Sequence, residues 1–152
     1  MNKKPTSKIL MGLTAVFAIV AIFVEYAPAF DEQTGPVLGN VFTMMFGVSA
    51  SNLATVWPLV IAFTALLLGT VLSFAGLLLD GKLLKIVYLT NALLFICAGV
   101  LFLFSLKFYG AANGADSLKS VKGLGSGVIT TAVFLFRAGA SSLGGALISK
   151  NN

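Results

Sequence analysis

The chain has 152 residues, 58% of them hydrophobic and only 10% charged, with a formal net charge of +5. Its mean hydropathy of +1.00 sets it apart from soluble domains, of which about a quarter of the residues are charged, so lipid is the expected solvent and a single helical domain over 1–152 the expected unit. The absence of histidine and the single cysteine, Cys97, exclude an intramolecular disulfide, a His/Cys zinc site and a histidine haem ligand or proton shuttle.

Lysines gather at the ends of apolar runs, where they meet lipid phosphates and set orientation. Nucleic-acid binding needs a basic face with aromatic or groove-reading residues, and none occurs. No metal or cofactor is expected. Cys97 lies inside an apolar run and reads as a small buried residue.

Residues 1–8 are a short basic leader, and the apolar run 9–24 continues into Glu25 and Tyr26. A basic start, a short apolar stretch and Ala27-Pro28-Ala29 also fit a cleavable signal peptide. The run reaches spanning length with Glu25 and Tyr26 at the far interface, so a retained first span over 9–27 is expected. Segment 28–56 holds Asp31 and Glu32 but no lysine or arginine, which fits the translocated side. Within it, Gly35-Pro36 can open a short helix. From 37 to 48, Gly39, Asn40, Thr43 and Gly47 share one face, with Val37, Val41, Phe42, Met45, Phe46 and Val48 on the rest. That pattern suits a short helix lying in the outer interface or tucked against the bundle, too short to span.

The clearest span is 57–79, which begins with Trp57 at the interfacial belt and Pro58 in the first turn. Ala65, Gly69 and Ser73 recur every four residues and offer a face for close helix approach. Asp80-Gly81, Lys82 and Lys85 mark a tight basic hairpin, 80–85, with glycine free to take the left-handed conformation that ends a helix. The third span, 86–106, contains Asn91 as its one amide. Beyond it, 107–123 is rich in glycine, alanine, serine and lysine and reads as a loop with at most one helical turn at Asp116 or Ser117. The fourth span is 124–149.

Four spans place both termini on one side. With the N-terminus cytoplasmic, the inner segments hold Lys3, Lys4, Lys8, Lys82, Lys85 and Lys150, and the outer ones only Lys107, Lys119 and Lys122. A bacterial cytoplasmic membrane with both termini inside is the expectation. The first outer segment is acidic and the second basic, so the two are expected to touch, with little energy from exposed ion pairs. The order of spans resembles the tetraspan arrangement of claudins in topology. The claudin W-GLW-C-C pattern is not present, since segment 28–56 has no cysteine and Trp57 begins a span, and no family follows.

Arg137, near the middle of the last span, is the chain's main anomaly. On a helical wheel Thr130, Phe134, Arg137, Ser141 and Gly144 form one stripe, which puts the cation on the small, polar side of its helix. An intramembrane charge costs at least about 2.5 kcal/mol and normally faces a bundle interior, a wet cavity or a partner. Three readings stand: snorkelling to phosphates from a tilted helix, bonding to polar groups or to an acid of another subunit, and an anion or headgroup site in a wet pocket. Asn91 reads as an interhelical hydrogen-bonding group. Ser141 with Gly145, and Ala140 with Gly144, have the small-xxx-small spacing of close helix packing. Gly123, Gly125 and Gly127 lack the spacing of a phosphate loop.

No span carries a carboxylate away from its ends or a nucleophile with an evident base, which speaks against an enzyme and against a proton-driven transporter. The expected function is a non-enzymatic membrane subunit, surrounded by membrane lipids, that packs as a homo-oligomer or within a larger membrane-protein complex. The alternatives are an oligomeric channel or holin-like pore with an anion-favouring path near Arg137, Thr130 and Ser141, and lipid or small apolar ligand binding between the helical hairpins, with segment 37–48 as a lid.

Overall fold

A computed structural model describes residues 3–32, 39–47, 53–119 and 121–149, except for the side chains of residues 3–5, 31 and 32. The chain is an all-α bundle of four long helices with a short helix between the first two. These are α1 (Lys3–Val24), α2 (Val41–Phe46), α3 (Trp57–Leu78), α4 (Gly81–Leu103), α5 (Ser105–Asn113) and α6 (Ser126–Ser149), with strands β1 (Phe30–Glu32) and β2 (Val121–Leu124). Four helices, α1 from Thr6 onward, α3, α4 and α6, are long and apolar enough to cross a membrane. Each is apolar on most of its circumference, and small residues decide which side turns inward.

α6 packs against both α4 and α1, and α3 closes the bundle against α4 and α1. Alternating direction brings the start of α1 and the end of α6 to one end, here the terminal end, together with the α3–α4 turn. The main core runs along the axis through Ala18, Ala62, Leu66, Phe95, Ala98 and Leu135, all fully buried. A smaller cluster of Met11, Leu84, Tyr88 and Ala146 fills the terminal end. A Cβ added to Gly69 would come within 2.6 Å of the Phe95 ring, so the glycine is what lets α3 and α4 meet there.

The opposite, distal end is covered by irregular chain. β1 and β2 pair antiparallel, with Phe30 opposite Leu124 and Asp31 opposite Gly123. The two segments therefore touch through backbone hydrogen bonds; the acidic side chains of Asp31 and Glu32 lie outside the described residues. The short interfacial helix is one and a half turns long. Asn40 caps it by accepting from the Thr43 N–H at 2.9 Å, the side-chain cap that a helix start needs. The Gly35-Pro36 opening and the limits at Val37 and Val48 lie outside the described residues.

Two sequence-based boundaries and one burial assignment shift. α4 begins at Gly81, so Lys82 and Lys85 ride on its first turns rather than in a loop. Segment 107–123 is mostly structured: α5 follows α4 after a break at Phe104, a 3-10 turn spans Ala115–Leu118, and β2 comes next. Ser105 and Tyr109, one turn apart, bury the inner face of α5, and this burial outweighs the glycine-rich composition. Cys97 is exposed on the outer side of α4 rather than buried, because Ala98 and Gly99 occupy the inward positions beside it.

Candidate functional site

α6 turns its small residues inward. Gly127, Thr131, Ala138, Gly139, Ser142, Gly145 and Ala146 are all buried, and at Gly145 an added Cβ would run into the Tyr88 ring. The outward face, read at intervals of three and four, is Ile129, Val133, Arg137, Ala140, Leu143 and Leu147, all exposed.

Arg137 thus belongs to an apolar outward face, which corrects the wheel assignment to an interior polar stripe. The other members of that stripe, Thr130, Phe134, Ser141 and Gly144, are half-buried along the seam with α1. There Phe134 meets Phe17 with ring centroids 6.1 Å apart, and the Ser141 hydroxyl donates to the Leu10 carbonyl at 3.0 Å. The close approach of α6 to α4 at Gly139 and Gly145 sets the rotation of the helix, and that rotation carries the guanidinium outside. An unpaired cation held inside would lose its solvation with no carboxylate to compensate.

Arg137 follows the start of α6 by 11 residues and precedes its end by 12, roughly 16 to 18 Å from each at 1.5 Å per residue. It therefore sits at the middle of a helix long enough to cross a hydrocarbon layer about 30 Å thick. Its guanidinium carbon lies 5.9 Å from the centre of the Phe134 ring, within cation–π range. Among the described residues the ion pairs are Lys8 with Asp80 at 3.4 Å and Lys119 with Asp116 at 2.8 Å, both at bundle ends and neither involving Arg137.

Asn91 is buried in the terminal half of the bundle. Its amide donates to the Ser73 hydroxyl of α3 at 2.9 Å, and Ser73 donates to the Gly69 carbonyl at 2.8 Å. Of the small face on α3, Gly69 and Ser73 are buried against α4 and Ala65 is half-buried. Nearby, Thr14 and Ser142 hydroxyls share a hydrogen bond at 3.3 Å between α1 and α6, and Tyr88 donates to the Ser7 carbonyl. These bonds stitch all four helices together without reaching Arg137. Ala140 is exposed beside it, and Gly144 is half-buried at the seam.

The interfacial residues divide. Met45 is fully buried, whereas Phe46 and Trp57 are exposed, Trp57 to 69%. Thr43 donates through its hydroxyl to the Asn40 carbonyl at 2.8 Å, so both polar residues are engaged within their own turn. Trp57 also borders an apolar surface groove of about 410 Å³ between α3 and α4, with Val60, Ile61, Leu68 and Leu94 along its walls.

Glu25, like Arg137 and Cys97, stands elsewhere than the sequence suggests. It immediately follows α1, and it is fully buried rather than interfacial. The chain beyond it folds back over the distal end, with the Phe42 N–H bonded to the Glu25 carbonyl at 3.2 Å and Val41 to Ala27 at 3.2 Å. Neither carboxyl oxygen has a hydrogen-bond partner among the described residues, and the same holds for the buried hydroxyls of Ser105 and Thr131. Burial pushes the Glu25 carboxyl up to about 8, since loss of solvation disfavours the charged form.

Comparison with known proteins finds no matching family model, no matching curated protein and no matching solved structure.

Proposed function

We propose that this chain is a non-enzymatic subunit of a membrane assembly, one that docks through the outward face of α6 and its seam with α1. The observation that carries the reading is Arg137: an exposed guanidinium at the midpoint of a span, on a face otherwise made of aliphatic side chains. Facing acyl chains, it would cost at least about 2.5 kcal/mol. Both bundle ends are too far for its side chain to reach phosphate from an untilted helix. A protein surface laid over the face removes that cost.

The lysine distribution supports an orientation with both termini cytoplasmic, and the location proposed for the chain is a bacterial cytoplasmic membrane. The filled axis around Ala62, Phe95 and Leu135 favours docking over conduction through a single chain. Native mass spectrometry of the protein extracted in mild detergent tests the proposal. A defined oligomer, or a stoichiometric membrane partner whose binding Arg137→Leu abolishes, is the expected result; a strictly monomeric chain without partner rejects it.

A further inference from the structure

We infer that the occupant of this face is a transmembrane helix of a different protein, carrying an aspartate or glutamate at mid-bilayer depth that pairs with Arg137. The inference rests on the docking reading and names the chemistry of the partner.

The chain has five carboxylate side chains, at Glu25, Asp31, Glu32, Asp80 and Asp116. Every one belongs to an end of the bundle: Glu25 just past α1, Asp31 and Glu32 in β1, Asp80 before α4, and Asp116 in the 3-10 turn. A second copy in the same orientation therefore offers no anion at the depth of Arg137, and a symmetric contact through this face sets two guanidinium groups near each other. An inverted copy fails as well, since mid-depth stays mid-depth.

Other ligands of a cation fit less well. Carbonyls of a partner helix are already bonded along that helix and leave the charge uncompensated. Phosphate is too distant, and a free anion would need a wet path across Ile129, Val133 and Leu143. A carboxylate supplies the opposite charge and matches the fork of the guanidinium with two parallel hydrogen bonds. The surface beside Arg137 has room for such a helix: Ala140 is exposed one turn away and Gly144 lies on the seam, so a partner backbone can come close. The Phe134 ring, 5.9 Å from the guanidinium carbon, backs the cation on the side facing α1 and leaves its outer edge for the carboxylate.

The test uses the full chain, donor-labelled at its N-terminus, in phosphatidylcholine vesicles with acceptor-labelled polyleucine transmembrane peptides. One peptide carries a central aspartate, a second a central asparagine, and a third only leucine. Energy transfer should show the aspartate peptide binding about tenfold or more tighter than the all-leucine peptide. Arg137→Leu should erase that preference and Arg137→Lys retain part of it, with helical content by circular dichroism unchanged in both. Equal binding of the three peptides, or an aspartate preference that survives in Arg137→Leu, overturns the inference. So does a wild-type chain that ignores all peptides yet self-assembles in the same vesicles, an outcome that leaves the docking proposal standing. A chain that ignores all peptides and stays monomeric removes both.

Discussion

Asn91 of α4 and Ser73 of α3 meet at 2.9 Å in the buried interior, and the serine hydroxyl in turn donates a hydrogen bond to the Gly69 carbonyl one turn back at 2.8 Å. The pair is a hydrogen-bonded relay between neighbouring helices at the place where the hydrophobic effect gives them no reason to associate, because lipid is as apolar as the interface. Ser73→Ala leaves the amide short of an acceptor, and the Asn91 carbonyl oxygen already has no partner among the described residues. Thermal or denaturant unfolding in detergent should show a loss of about 1 to 2 kcal/mol. A double-mutant cycle with Asn91→Leu should return a coupling of about 0.6 kcal/mol or more; a coupling of zero would mean that the two side chains act independently.

Close approach at glycine gives a second outcome. Gly69→Ala places a methyl group within 2.6 Å of the Phe95 ring, and Gly145→Ala drives one into Tyr88. Both should destabilise by about 1 to 3 kcal/mol, the usual range for overpacking. Gly12→Ala, which meets nothing within 4 Å, should not destabilise and serves as the control within the same set of melting curves.

Glu25 predicts a pH dependence with a definite sign. Its carboxyl titrates near 4.5 when unfolded and near 8 when folded. Between these values the folded chain keeps a proton that the unfolded chain has released. Stability therefore falls as pH rises from about 4.5 to about 8, and this contribution is flat on either side. The slope should disappear in Glu25→Gln, which keeps the shape and carries no charge. Unfolding curves of both proteins across that pH range decide it, and an unchanged slope in the variant would place the titration elsewhere.

At the terminal end, Lys8 reaches both Asp80 at 3.4 Å and the Leu77 carbonyl at 3.0 Å. The carboxylate is exposed, so Asp80→Asn should cost well under 1 kcal/mol. Lys8→Ala also removes a cation from the last carbonyls of α3, where the helix dipole favours positive charge, and should cost more. Comparison of the two melting temperatures tests that order.

The number and order of the long apolar helices were legible because unbroken apolar runs between lysines and turn residues have few other solutions. Which side of each helix faces inward was much less so. A soluble helix declares its buried side by polarity, but here core and surroundings ask for the same residues, and Cys97 and Arg137 were both assigned to the wrong side. Size carried more information than polarity: Gly69 and Ser73 do lie where helices touch. Glu25 was misread because an acid at the end of a span normally marks the water boundary; its burial arises from the fold-back of Val41 and Phe42, a tertiary event with no local signature. The pairing of β1 with β2, Phe30 with Leu124, joins segments far apart in the chain, beyond the reach of any local pattern.

The adjacency of α1 and α6 has a consequence for assembly in the cell. A ribosome delivers α1 well before α6, so while the segments between them are made the first helix lacks the neighbour that meets Phe17 and the Leu10 carbonyl. The strand that seals the distal end is likewise unmatched until β2 emerges, just ahead of that last helix. Closure of the bundle is therefore a single event, in which β2 and α6 arrive together and supply both the missing wall and the clasp.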